Sequence, residues 1–453
     1  MKLPKKAPSH GKLLNDALHQ DQKFLFRHDE PAIKQLIERA NQESWNWEEC
    51  GYHLGNSGLT KEQLWALVKL ARSPGRQEIP LRDGAGKPFS FRLPPTAGRI
   101  LHLADKYLGG SLESSFPQID SSVDRQRYLI TSLTEEAVAS SQLEGAVVTR
   151  EVAKEMLRSK RAPRNHDERM IVNNYRAIQM LKERVAQPLT IPLLFEIQAM
   201  LTEGTLEKPD ASGRFRRPEE NITVWDDEDQ QVLHTPPPAE ELSQRMEGLC
   251  AFANARSKTP EGFIHPVVRA ITLHFWLAYD HPFVDGNGRT ARALFYWSML
   301  REGYWLVEYL TISSIIREQP KQYTRAFLNT EIDDNDLTYF LLYHLRVIER
   351  SIEAFRKYLD RKLSERKRGS AIVRSGRFNH RQEAILLKAL SAPETRFTYE
   401  AHASAHGVTL ATGRSDLLGL EGMGLLRGNR AGRRFEFVAV PNLEARLQRM
   451  AQA

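Results

Sequence analysis

The chain has 453 residues, enough for two or three domains of roughly 100–200 residues each. With 41% hydrophobic and 27% charged residues it can bury a core, which excludes a disordered polymer, and no run approaches the roughly 20 apolar residues of a membrane span. The basic start MKLPKKAPSHGK has no apolar stretch behind it, unlike a secretory leader, and Cys50 and Cys250 are the only cysteines, so at most one bridge and no cysteine-rich zinc site is available and a reducing, cytoplasmic, membrane-free setting is expected.

Residues 1–115 read as mixed and mostly helical. SGLTKEQLWALVKLAR opens with a capping pattern at Ser57 or Thr60 and continues with apolar residues at helical spacing. Residues 79–95 alternate around a DGAGKP turn and predict a hairpin or loop, while Trp45, Trp47 and Trp65 suit a core. A second domain is expected over 116–360. It begins with one long helix from Ser121 to Ser141, free of Gly and Pro, that stops at Gly145. A second helix is predicted at 167–185, followed by a Pro- and Gly-rich stretch with β-prone ITVW inside it, too long for a mere connector. Helices resume at 240–255, 266–279 and 289–301, and two or three more follow, the last being the amphipathic LTYFLLYHLRVIERSIEAFRKYL. RKLSERKRGS then reads as a basic hinge over 361–375, and 376–453 as a separate module of three helices and a Gly-rich hairpin. From residue 361 onward there are 17 Lys+Arg against 8 Asp+Glu, whereas the preceding 360 residues carry 47 against 49. The basicity of the chain, +7 overall, therefore belongs to the tail, as if that module alone met an acidic partner.

The densest chemistry is His281-Pro282-Phe283-Val284-Asp285-Gly286-Asn287-Gly288-Arg289-Thr290-Ala291-Arg292. An apolar helix ends in His-Pro, a glycine-rich loop follows, and a new helix begins near Asn287. Glycines allow close backbone approach, and the free N–H groups of a helix N-terminus attract anions. Arg289 and Arg292 add positive charge, and Asp285 is a hard ligand suited to Mg²⁺, an ion usually held by one or two carboxylates plus phosphates. His281 can take a proton near neutral pH. Anion cradle, metal carboxylate, arginines and base together describe a phosphoryl- or nucleotidyl-transfer site.

This stretch resembles the Fic family, matching its signature HPFx(D/E)GNGRxxR at every specified position. The likeness extends from about Ser121 to Leu345. It implies a mainly α fold, a Fic-type helical core with a small β-hairpin flap, and a protein adenylyltransferase that moves AMP from ATP to a Ser, Thr or Tyr hydroxyl of a protein. By position, His281 would be the base and Asp285 would hold Mg²⁺ (or Mn²⁺). Gly286, Asn287 and Gly288 would cradle the phosphates, Arg289 and Arg292 would meet the β/γ end, and Thr290 would belong to the same nucleotide site. Phe283 would be an anchor. Ser140 and Glu144, in Ser140-Ser141-Gln142-Leu143-Glu144-Gly145, fit the family's inhibitory pattern (S/T)xxxE(G/N) on a helix spanning 121–145. They lie one helical turn apart, and in the family this Glu pairs with the second signature arginine, here Arg292.

Ile222, Thr223 and Val224 occupy the place of the flap that registers a target chain by strand pairing. LTISSIIREQPKQYTRAFL resembles the border of the adenine pocket, with Gln319 where an Asn is common and Tyr323-Thr324 where two tyrosines are common. The C-terminal module resembles a winged helix-turn-helix, with 409–422 as reading helix and Arg427, Arg430, Arg433 and Arg434 on the wing; DNA and a protein or dimer contact are both open to it. His234, His265 and His274 suit structural roles. A homodimer is a habit of the family. Two alternatives stand beside transfer: removal of AMP with Glu144 positioning water, and a DNA-binding regulator whose core senses nucleotide.

Overall fold

The computed structural model describes residues 3–110, 122–159, 161–226, 229–255, 262–373, 377–391, 393, 395–431 and 434–452. Its described residues are mainly helical, with three two-stranded antiparallel sheets. Contacts divide the chain into two units. The first is formed by Met1–Ser115 and Arg127–Glu353, and the second is built on Ala354–Ala453.

The first unit opens with helices α1 (His10–Gln20), α2 (Pro31–Glu43), α3 (Trp47–Tyr52) and α4 (Lys61–Arg72). Of the two start signals for α4, Thr60 is the cap. Its Oγ1 accepts from Gln63 N at 3.2 Å and Gln63 Oε1 accepts from Thr60 N at 3.0 Å, a reciprocal box that satisfies two otherwise orphan donors. Leu13, Phe24, Ile33, Leu64 and Trp65 form the core here. Trp45 and Trp65 are buried as expected, and Trp47 stands edge-on to Trp65 at 6.0 Å under the Lys61 ammonium. The hairpin of β1 (Gln77–Arg82) and β2 (Pro88–Phe91) follows, then α5 (Pro95–Leu108).

The remainder of this unit carries α6 (Ser122–Gln142), α7 (Arg150–Ser159), α8 (His166–Glu183), α9 (Ile191–Leu201), the hairpin β3 (Val224–Asp226) and β4 (Gln231–His234), α10 (Leu242–Asn254), α11 (Pro266–Asp280), α12 (Asn287–Arg301), α13 (Ile312–Glu318), α14 (Pro320–Ile332) and the start of α15 (Thr338–Val373). The sequence pattern missed α7 and α9. The second is apolar on nearly every side, so its period is weak, although Thr190 caps it by accepting from Leu193 N at 3.3 Å. Nearly all of α11 and α12 is buried, the mark of central helices.

A buried polar joint ties the N-terminal helices to the turn between α14 and α15. Lys69 Nζ lies 2.7 Å from Asp333 Oδ1, and the Tyr339 hydroxyl donates to Asp333 Oδ2 at 2.8 Å. Arg72 spreads its donors over Tyr339 Oη, Asn41 Oδ1 and the carbonyls of Ala40 and Trp45. Cys50 and Cys250 are buried free thiols, and burial pushes each up to about 12.

One boundary differs from the sequence reading. The basic stretch expected as a hinge over 361–375 is helix as far as Val373, where α15 ends. Its Arg, Lys, Leu and Glu are strong helix formers, and the helix already under way needs no new nucleus.

In the second unit, α16 (His380–Ser391), α17 (Tyr399–His406), α18 (Leu410–Gly422) and the hairpin of β5 (Leu426–Ala431) and β6 (Arg434–Ala439) come in the expected order, and α19 (Leu443–Gln452) is added. Leu386, Leu417, Leu420, Phe437 and Leu447 form its core. Gly407, at φ 62°, makes the turn out of α17. Arg427 is exposed, whereas Arg433 and the side chains of Arg430 and Arg434 lie outside the described residues.

Breaking the buried joint tests its weight. Lys69→Met leaves Asp333 without its ammonium partner and is expected to cost about 3–5 kcal/mol, read as a lower urea midpoint.

Candidate active site

His281 sits at the carbonyl end of α11 in the left-handed conformation, φ 47°, and closes the helix through His281 N to Leu277 O at 2.9 Å. Its Nδ1 lies 3.2 Å from Ala278 O. A carbonyl can only accept, so Nδ1 carries the proton and Nε2 is the basic nitrogen. Burial lowers the imidazole to about 4, with nearby His234 and Arg216 pushing the same way. The ring is therefore neutral at pH 7, the state a general base needs.

The loop after His281 is braced from within. Asn287 Nδ2 donates to Phe283 O at 2.8 Å and its Oδ1 accepts from Phe283 N at 2.9 Å, so this side chain shapes the loop that precedes α12. Phe283 is fully buried against Phe195 and Phe215. Gly286 adopts φ 84°, and a Cβ there would lie 2.7 Å from Thr202 Cγ2, so both conformation and space demand glycine. Asp285 Oδ1 accepts from Gly286 N at 2.5 Å, and Oδ2 accepts from Arg289 Nη2 at 2.9 Å. Arg289 is buried and also donates to Leu201 O at 3.0 Å. It thus aims Asp285 and anchors α12 to α9. Thr290 is fully buried, one turn inside the helix.

Asp285 keeps 47% of its side-chain surface beside the free N–H groups that open α12. Among the described residues, no group of three or more His, Cys, Asp or Glu is placed to hold a metal. One accessible carboxylate fits Mg²⁺ held jointly with phosphate oxygens, and would not suit an ion caged by protein alone.

Arg292 is one turn further along α12 and nearly all buried, and its donors meet α6 and the turn after it. Nε donates to Ser140 Oγ at 2.9 Å, and Nη2 donates to Ser140 O at 3.0 Å and to Glu144 Oε1 at 2.8 Å. The same Glu144 oxygen lies 2.2 Å from where a Cβ on Gly288 would stand. The carboxylate therefore rests on the backbone of the first turn of α12, in the place where an anionic ligand would be drawn. Ser140 and Glu144 are thus brought together with Gly288 and Arg292.

The other predicted residues divide. The Tyr323 hydroxyl stands 2.9 Å from His274 Nε2 beside Arg292, with burial raising it to about 12, so it stays a phenol. Gln319 is exposed at the junction of α13 and α14. In the flap, Val224 pairs with His234, while Ile222 and Thr223 lie before the ladder. His265 caps α11 by accepting from Val267 N, and His274 is buried and held neutral by desolvation.

Sequence reasoning missed three supports. Gln198 Nε2 donates to Asp285 O at 3.1 Å while its Oε1 accepts from Gly213 N at 2.7 Å. Glu136, one turn before Ser140, accepts from the backbone and hydroxyl of Ser313, and Asn174 Nδ2 donates to Ser141 Oγ at 2.7 Å. A polar residue among the apolar ones of a helix, as Gln198 is in IPLLFEIQAML, is the signal that could have found the first, because buried polar groups need partners.

These features define a helical core with a glycine-rich turn at a helix N-terminus, a neutral imidazole and an arginine–carboxylate pair. Residues 188–299 match the model of the Fic/DOC family, and part of the chain is similar to proteins named protein adenylyltransferase. A "Protein adenylyltransferase Fic" of Nematostella vectensis is 36% identical over 122 residues, 27% of this chain and 26% of that protein. The Drosophila melanogaster protein of the same name is 38% identical over 71 residues, 16% of this chain and 14% of that one. The chain thus matches about a quarter or less of the length of these curated relatives. A solved Fic-1 fragment from C. elegans aligns with a TM-score of 0.50 and 16% identity, covering 78% of this chain and 93% of the fragment, a likeness of fold.

Two outcomes follow from the geometry. The His281 Cε1–H resonance should titrate with a midpoint near 4, and a rate that needs its free base should stay level down to that region. Gly288→Ala should push the flexible Glu144 carboxylate off the helix while the fold persists, visible in a crystal structure of the variant.

Proposed function

We propose that the chain is a protein adenylyltransferase held at rest by its own Glu144. The observation that carries this reading is the Glu144 carboxylate on Gly288 and Arg292, because it fills with the protein's own negative charge the turn where a terminal phosphate would bind. Phosphate and Glu144 compete for the same N–H groups and guanidinium, so a nucleotide reaches a productive pose only when α6 gives way.

In the productive state, the free N–H groups of α12 and Arg292 bind the phosphate chain, and Asp285, aimed by Arg289, would hold Mg²⁺. The ion, when bound, neutralises charge on the phosphates. A target segment docks on the flap by strand pairing and brings a Ser, Thr or Tyr hydroxyl to His281. Nε2 takes the hydroxyl proton, the oxygen forms a bond to the α-phosphorus, and the bond to pyrophosphate breaks. Positioning and charge stabilisation carry most of such a transfer. The basic C-terminal unit offers a second contact, for DNA or for a protein.

The test is label transfer from α-³²P-ATP with Mg²⁺, comparing the wild-type chain, Glu144→Gly, and Glu144→Gly with His281→Ala. Label on the chain or on lysate proteins should rise at least tenfold in the single variant and vanish in the double. If Glu144→Gly binds ATP and labels nothing, the transfer reading fails, and removal of AMP or nucleotide sensing takes its place.

A further inference from the structure

Four consecutive backbone carbonyls, those of Tyr279, Asp280, His281 and Pro282, end α11 and begin the loop that carries His281. A helix leaves such carbonyls without partners of its own. Here every one of them is taken by the segment that holds the flap. His234 Nε2 lies 2.7 Å from Tyr279 O. Arg216 Nη2 donates to Asp280 O at 3.4 Å, its Nε to His281 O at 2.8 Å, and its backbone N to Pro282 O at 2.8 Å. The same Nη2 reaches Pro237 O at 2.5 Å, which ties the chain before β3 to the chain after β4. Arg216 is 7% exposed, and the carboxylates of Asp280, Glu240 and Glu220 act on its charge.

The protonation of His234 follows from its neighbours. Its Nδ1 lies 2.9 Å from Glu331 Oε2 on α14. A carbonyl and a carboxylate both accept, so each ring nitrogen carries a proton and the ring is an imidazolium. The other charged or titratable groups around it are Asp280 on α11, which is paired with Arg245 of α10 at 2.6 Å, the Tyr279 phenol, Arg216 and His281. Glu331 and the carbonyl end of α11 favour the cation, and the His234 pKa is raised accordingly, against the opposing effect of its burial.

We propose that Arg216 and His234 are positioning residues that fasten both roots of the flap to the carbonyl end of α11, so that the docking strand and the His281 ring are held in one register. The proposal rests on the reading of His281 as base and the flap as docking site. Neither residue touches the reacting atoms. Their second effect is electrostatic: while His234 is protonated, it and Arg216 are two cations beside His281 that disfavour a third, which keeps its Nε2 free. The sign with pH is fixed by the raised pKa of His234. Its bridge is complete below the ordinary histidine value and is lost as pH rises through the raised one, because a neutral ring must turn a lone pair toward either Tyr279 O or Glu331.

The test uses readouts that need no nucleotide transfer, so it can fail independently of the transferase reading. In His234→Gln the His281 Cε1–H midpoint should rise by about half a unit to one unit as a neighbouring cation is removed. Amides of Val224–Asp226 and Gln231–His234 should exchange about tenfold faster. Glu331→Gln, which keeps size and shape, should lower the His234 midpoint and bring faster flap exchange at a lower pH than in the wild type. Wild-type exchange together with an unmoved His281 midpoint in His234→Gln would overturn the proposal. So would a Glu331→Gln chain whose His234 titrates as in the wild type.

Discussion

A guanidinium with almost no access to water must find acceptors, and the acceptors that Arg292 finds lie at the end of α6 and in the turn after it. Burial of an unpaired charge is prohibitive, so the carbonyl and hydroxyl of Ser140 and the carboxylate of Glu144 hold that end of α6 against α12. One carboxylate oxygen accepts from Arg292 and lies close against the backbone at Gly288, so the pairing that satisfies the arginine also places a negative charge beside the first turn of α12. Glu136 and Asn174, on Ser313 and Ser141, extend the hold along the helix.

Around that contact, the loop from His281 to Arg289 is specified by satisfaction of its own polar groups. Asn287 bonds both backbone groups of Phe283, Gln198 takes Asp285 O, Arg289 takes the Asp285 carboxylate, and Arg216 and His234 take the carbonyls of residues 279–282. Little of this network reaches a ligand. It holds His281, the Asp285 carboxylate and the first turn of α12 in fixed positions. Such rigid support is what positioning chemistry requires.

The legible parts of the sequence were those where composition states the physics locally. Thr60 with Gln63 announces a helix start, and Gly286 between Asp285 and Asn287 announces a turn that needs positive φ. Ser140 and Glu144 are four apart, which keeps them close although α6 ends at Gln142 and Glu144 stands in the turn after it. Helix α9 was not legible, because a helix apolar on nearly every side loses its periodic signal. The break expected at 361 failed because a run of charged residues reads as a linker, while its helix propensity let α15 run on to Val373.

By itself the sequence determined which chemical groups the site contains and their order along the chain, because the twelve residues from His281 to Arg292 lie within one loop and two helical turns. Only the tertiary structure decided their roles. Arg289 and Arg292 look alike as neighbours in a motif, yet one aims Asp285 from within the core and the other holds Glu144 across 148 positions of sequence. Arg216 and His234 were two more polar residues near a flap until folding set them on the carbonyls behind His281. Burial and hydrogen-bond partners across such separations are properties of the packed chain, and they separate a residue that meets a ligand from one that holds its neighbour in place.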